Sequence, residues 1–417
     1  MLGRRLSGRR RLFLALFSLS ATQTAVYVAR PVTSYRLLAI GGSATEVGLV
    51  TAAFALIPLF VAIPVGRFAD RGRSDSLLVA GSGLELIACL LLGVADTTAA
   101  IAVATAILGL GHLGVALGAQ HVIARESDES EHDRRFAALT VGVSVGQLVG
   151  PLFAAALLRG HTGASLLSAS RDAMFVGAGV AALAVLASVL AARDRATAPP
   201  APPPDEAGGS LRQIVTTRGV PAGIFASVAV LSAADIFTAY MPVLGERRGI
   251  DPGLIGLLLA VRAAASIAAR LGIVYAVRRI GRLRLISASA LLAAAAIAAV
   301  TQTHDAVALG VLCGVIGYGL GFGQPLTMTM VVQRVPEQWS ATALAVRLSG
   351  NRLGQVAGPA VAGLVAGGLG VSSVFWMLGL MLVASAAAVE RPAVGRTERR
   401  GAPVEPPPAA AAEVELE

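Results

Sequence analysis

A chain of 417 residues that is 55% hydrophobic and only 14% charged, with mean hydropathy +0.73, is not an ordinary soluble protein, in which about 25% of residues carry charge. A membrane helix needs about 20 apolar residues, so twelve of them take up most of the length and leave no room for a soluble catalytic domain. The net charge of +9 rests on arginine alone, since no lysine occurs, and its distribution among the connecting segments explains it without nucleic acid.

In chain order, Arg9, Arg10 and Arg11 before an apolar run imitate a secretory or twin-arginine signal. Many further spans follow in place of a soluble mature domain, so the run reads as span 1 with a basic flank. Apolar runs bounded by glycine, proline and charge place six spans at 12–36, 46–66, 76–95, 99–122, 136–158 and 172–192. Six more follow at 220–244, 254–276, 285–303, 306–332, 340–366 and 372–389. The expected fold class is all-α integral membrane, with a six-helix half over 12–192 and another over 220–389. A basic tail (1–11), a Pro-rich linker (193–219) and a disordered tail (390–417) complete the chain. With the termini on one side, 24 arginines fall in the tails and loops of that side. Five, Arg36, Arg159, Arg171, Arg247 and Arg248, fall opposite, which predicts cytoplasmic termini and a multi-pass cell-membrane protein.

Span 1 carries Gln23, Tyr27, Arg30 and Ser34 at spacings of four, three and four, a polar stripe on one helix face. Between spans 2 and 3 stands a loop with Gly66, Asp70, Arg71, Gly72 and Arg73. Span 3 holds one buried acid, Glu85. In span 4, His112 and His121 are nine residues apart and point opposite ways, so at most one lines a cavity. His112 shares a broader face with Gln120 and is the candidate, against the plainer reading of a histidine packed between helices. Gly109, Gly111 and Gly114 fit GxGxxG, but the apolar run before them is too long for a strand, so this is not a dinucleotide site.

Span 5 carries Gly142, Gly146, Gln147, Gly150 and Pro151, and a shift of 208 residues superimposes these on Gly350, Gly354, Gln355, Gly358 and Pro359 of span 11. The halves therefore read as repeats about an axis along the membrane normal. Glycines four apart permit close helix packing, and the proline bends the span. Packing alone is as good a reading as a transport role. The same shift carries Tyr27 and Arg30 onto Asp235 and Thr238 of span 7, which share a face with Pro242.

The loop at 66–73 and the glycine-proline stripe of span 5 resemble the conserved loop and the antiporter motif of the major facilitator superfamily, and the resemblance covers about 12–389. Ala154 and Ala155 stand where that motif has glycines, and Ser74 replaces a usual base. The resemblance implies a monomer, a cavity walled by spans 1, 4, 7 and 10, and Asp70 with its arginines at the cytoplasmic end of a contact between spans 2 and 11. Gly66 would let those two helices touch.

The expected cavity residues are Gln23, Tyr27, Arg30, His112, Gln120, Asp235, Thr238, Tyr318 and Gln324, with Pro325 and Thr327 beside the last. Arg30 and Asp235 are too costly in a bilayer to stand alone. They pair across an empty cavity, or Asp235 takes a proton while Arg30 holds the solute, or they form a structural lock between spans. Arg262 and Arg352 are buried, while Arg270 and Arg347 are expected to reach the interface by snorkelling. The deep charge balance, not negative, favours a neutral, zwitterionic or anionic solute.

Cys89 and Cys313 lie in apolar segments and provide neither disulfide nor zinc site. Without a P-loop or HExxH, no cofactor, metal or enzymatic activity is expected. The favoured function is proton-coupled export of a small molecule by alternating access; proton-coupled uptake of a metabolite is the alternative, and a transport-dead sensor a third.

Overall fold

The computed structural model describes the backbone of residues 2–126, 132–194, 211–336 and 339–397, with side chains for all of these except 2–9, 70, 123–126, 132–138, 211, 341 and 391–397. The first half comprises α1 (Leu2–Ala39), α2 (Ala44–Phe68), α3 (Ser74–Val94), α4 (Thr98–Glu126), α5 (His132–Leu158) and α6 (Gly163–Arg193). A short α7 (Leu211–Thr216) precedes the second half: α8 (Val220–Arg247), α9 (Pro252–Leu271), α10 (Ile273–Ile280), α11 (Arg282–Val300), α12 (Ala306–Val332), α13 (Ser340–Leu369) and α14 (Val371–Thr397). Among the described residues there is no strand. Every long helix falls on an expected span.

Helices run past the apolar limits that the sequence suggests. α1 already starts at Leu2, within the expected tail, and α14 continues to Thr397. The eighth span ends near Gly272, and α10 follows as a separate amphipathic turn with no buried residue. The Pro-rich part of the linker, 195–210, lies outside the described residues. Eleven helices are long and apolar enough to cross a membrane. α13 is not among them although it has 30 residues, because Arg347, Asn351, Arg352 and Gln355 dilute it; it is nonetheless wedged between α8 and α2.

Long helices suit lipid because they satisfy their own backbone. Most of their starts at the face opposite the termini, the far face, are capped by side chains. Ser43 and Glu46 form a capping box on α2, Asp251 accepts from Leu254 N–H at 3.2 Å on α9, and Asp305 accepts from Ala308 N–H at 2.8 Å on α12.

Packing repeats with the 208-residue shift. α1 lies against α5 and α6 as α8 does against α13 and α14, and α3 against α4 and α6 as α11 does against α12 and α14. Between halves, α2 packs on α13 and α5 on α9, two contacts that the pseudo-twofold axis exchanges. Their closest points are repeat mates. A Cβ at Gly48 would come within 2.4 Å of the Pro359 carbonyl and 2.6 Å of Gly363 Cα, and one at Gly256 within 2.7 Å of Ala155. Shifting Gly48 and Ala155 by 208 gives Gly256 and Gly363.

Both contacts lie toward the far face, where Thr45 Oγ1 donates to the Gly363 carbonyl (3.0 Å), Tyr240 OH to the Ala44 carbonyl (2.8 Å) and Gly160 N–H to Asp251 (2.7 Å). Toward the termini α2 and α13 part, while α9 keeps a bond to α5 from Arg270 to Ser144. Among the described residues nothing lies within 4 Å of a Cβ built at Gly66, so the contact with α13 expected there is not made in this structure. Gly66 and Gly48 thus mark open and shut ends of one helix. Gly48→Ala should lower stability by about 1–3 kcal/mol through overpacking against backbone, whereas Gly66→Ala should be neutral or stabilising by up to about 1 kcal/mol. Thermal unfolding of the two variants in detergent checks the contrast; equal effects would contradict the closure described.

Candidate functional site

The glycine stripe of α5 sits directly on the polar stripe of α1. A Cβ at Gly146 would fall 2.3 Å from Gln23 Cβ, and one at Gly150 2.6 Å from Tyr27 Cβ. In the other half Gly354 meets Val228 and Gly358 meets Ser232 and Ile236 of α8. Close packing is therefore what the stripes do. It brings the glutamine beside each stripe onto the neighbouring helix: Gln147 Nε2 donates to Tyr27 OH (3.1 Å), and Gln355 Nε2 donates to Asp235 Oδ2 (2.7 Å). These bonds are the same bond made twice, since the shift maps Gln147 onto Gln355 and Tyr27 onto Asp235. Both glutamines lie four residues before a proline, whose ring removes the backbone bond to their carbonyls.

At the depth of these bonds Arg30 Nη1 donates to Asp235 Oδ1, an ion pair that joins the two halves. Its side chains are 17% and 10% exposed. Both carboxylate oxygens are thus committed, one to Arg30 and one to Gln355, whose Oε1 accepts from Arg352 Nη1 at 3.1 Å. The Arg30 guanidinium also lies 4.4 Å from the centroid of the Phe54 ring. Partners on every side meet the demand that a charge in lipid must be paired.

Two chambers adjoin the pair. The one toward the far face is lined by Arg30, Ser34, Phe54, Thr105, Gln355 and Asp235, and the one toward the termini by Tyr27, Asp235, Thr238, Arg262, Arg270 and Gln324. Asp235 lines both, and the pair stands between them. Arg262 Nη2 donates to Thr238 Oγ1 at 3.2 Å, and Arg270 Nη1 donates to Ser144 Oγ at 3.2 Å across the halves.

Of the expected cavity residues, Tyr27, Arg30, Asp235, Thr238 and Gln324 come together. Gln23 is buried beneath α5 rather than in either chamber. Tyr318 is 44% exposed and packs edge-on against Phe322 within α12, and Gln120 is exposed. His112 packs between helices, its Nδ1 3.6 Å from Glu85 and its ring against Phe54; His121 Nδ1 lies 2.9 Å from the Leu117 carbonyl. Arg270 and Arg347 do not snorkel. Arg347 is 5% exposed and turns inward to the Gln324 carbonyl, Gln324 Oε1 and Thr327, which offer nearer acceptors than the headgroups.

In the loop, Gly72 takes a left-handed conformation (φ 81°) within a π-helical turn over Ala69–Arg73, and Arg71 and Arg73 are exposed. The Asp70 side chain lies outside the described residues. The acid that the structure ties down nearby is Asp75, which accepts two bonds from buried Arg11 at 2.7 and 2.9 Å. Gln147, Gln355, Phe54 and the Arg11–Asp75 pair were not among the expected site residues. The two glutamines were visible in the repeat; only their partners were not.

A sequence model described as Major Facilitator Superfamily matches residues 12–347 and, in a second match, 223–415. No curated protein matches in sequence. Among solved structures, a mutant of the nucleoside transporter NupG is similar with TM-score 0.74 and 16% identity, over 91% of this chain and 99% of that one. A bacterial homologue of the human lysosomal transporter Spinster gives 0.70 and 15%, over 94% and 95%. A POT family transporter in complex with a thioalcohol-conjugated peptide gives 0.73 and 14%, over 92% and 96%.

Removing one member of the central pair strands the other charge. Asp235→Leu should therefore cost about 3–5 kcal/mol, and adding Arg30→Leu should recover most of it. Melting curves of the two single variants and the double variant close the cycle, and additive losses would show that the pair is not coupled.

Proposed function

The chain belongs to the Major Facilitator Superfamily, and from that premise we propose that it exports a small molecule by alternating access, in exchange for protons. Membership makes it a multi-pass membrane transporter rather than an enzyme. The arginine distribution supports cytoplasmic termini in a cell membrane, so that the far face is the outer one. On that assignment the structure has its outer side shut. The units that move are the halves 12–192 and 220–389, joined by the linker 193–219, and one chain suffices.

The observation that carries the reading is the Arg30–Asp235 pair, one bond that spans the halves where two chambers adjoin. For the halves to rock, this bond must be exchanged for others. Protonation of Asp235 removes the counter-charge of Arg30 and frees the guanidinium for a solute carbonyl or acidic group. Release of the proton to the opposite side restores the pair. Tyr27, Thr238 and Gln324 complete the solute path, and the glycine-proline stripe of α5, similar to the antiporter motif, supports exchange over symport. The similar structures include a nucleoside transporter and a transporter in complex with a peptide conjugate, so the cargo is argued from side chains: with arginines outnumbering acids at depth, a neutral, zwitterionic or anionic solute fits.

Accumulation of a labelled solute panel in an efflux-deficient host tests this. Wild type should lower accumulation of at least one solute, a protonophore should abolish the effect, and Asp235→Asn should lose it. Higher accumulation in wild type would reverse the direction to uptake, and export by Asp235→Asn with unchanged pH dependence would remove Asp235 as proton carrier.

A further inference from the structure

In the chamber on the termini-bearing side of the Arg30–Asp235 pair, the carboxylate and its neighbouring acceptors are already engaged. Asp235 is held by Arg30 and Gln355, and Gln324 Oε1 by Arg347. Thr238 Oγ1 accepts from Arg262 and donates its own proton to the Ala234 carbonyl (2.7 Å). Gln147 and Ser266 also line it, but neither is charged, and what the chamber offers a charged ligand is donors. Tyr27 OH accepts from Gln147, which leaves its proton free to donate inward. Arg262 is 8% exposed and its Nε is buried without any hydrogen-bond partner. Arg262, Ser266 and Arg270 lie four residues apart along α9 and all line the chamber. Neither arginine has a carboxylate within ion-pairing distance among the described residues.

A guanidinium that is buried and uncompensated is costly, and it is the group that best matches a planar or tetrahedral oxyanion. We propose that this chamber binds the acidic group of an organic anion, a carboxylate, phosphate or sulfonate, held by Arg262 with Arg270 as its second charge and Tyr27 OH as a neutral donor. Asp235 is already paired with Arg30, so the anion supplies the counter-charge that Arg262 and Arg270 lack, and Arg262 Nε gains an acceptor. The site rests on the transport reading only in making the bound anion the cargo.

The test reads binding alone. Purified protein in detergent is melted while a thiol-reactive dye follows exposure of Cys89 and Cys313, both buried in the folded state. The probes share one ring: benzoate, phenyl phosphate and benzenesulfonate against uncharged benzamide. At least one anion should raise the melting temperature by about 2–4 °C where benzamide does not, and Arg262→Gln should abolish that shift. Arg270→Gln, which lies nearer the helix end, should weaken it and serves if Arg262→Gln does not fold. Equal stabilisation by benzamide, no stabilisation by any anion, or an anion shift that persists in both variants would overturn the proposal. If anions bind as described but no solute is exported in a proton-dependent way, the site stands and the transport reading falls.

Discussion

A lone arginine or aspartate at the depth of Arg30 or Asp235 costs a membrane helix about 2.5–3.5 kcal/mol on insertion scales, and each lifts the other's penalty only while the two halves stay in register. The pair is the ion pair between halves among the described residues, and the surrounding side chains are arranged about it. Gln355 occupies the second carboxylate oxygen and is itself held by Arg352, and Phe54 lies beneath the guanidinium. Because the bond belongs to both halves, its making and breaking is tied to their relative position. A charge pair that only stabilised one half would have no such coupling.

The repeat gives that coupling a mechanical setting. Gly48 against Gly363 and Gly256 against Ala155 are the same joint built twice, on opposite sides of the central pair. Small residues at such joints let backbones meet without side chains between them, so the contact is tight but buries little that must be dismantled. The stripes of α5 and α13 have a different task. They hold Tyr27 and Asp235 at fixed positions within their own halves through Gln147 and Gln355. Each half is thus pinned around its polar group, while the closest joints between halves are made by small residues, an arrangement that suits a two-state element.

Much of this was legible in the residues. Spacings of four, three and four in span 1 exposed the polar stripe, and the shift of 208 brought Arg30 and Asp235 to facing helices. Side-chain partners were less accessible. Gln147 and Gln355 were visible as a repeat, but pairing them with Tyr27 and Asp235 needs the rotation of each helix, which glycine spacing alone does not give. The joint at Gly48 was hidden because single small residues do not stand out in a chain with 47 glycines. Tyr318 was misplaced for a related reason: α12 is apolar on all sides, so periodicity does not say which face meets the cavity. Arg347 shows the limit of reasoning by depth, since a long side chain near a helix end reaches water or a carbonyl equally well, and here Gln324 is closer.

In the proposed cycle the Arg30–Asp235 bond holds the far face shut. Pulsed EPR distances between spin labels at Ala164 and Ser372, exposed at that face on opposite halves, test it most directly. In wild type the distances should form a short, narrow distribution, and Asp235→Asn should move a substantial share of molecules to longer distances. An unchanged distribution in Asp235→Asn would mean that the joints at Gly48 and Gly256 close the far face by themselves, and that the central pair does not govern the state of the molecule.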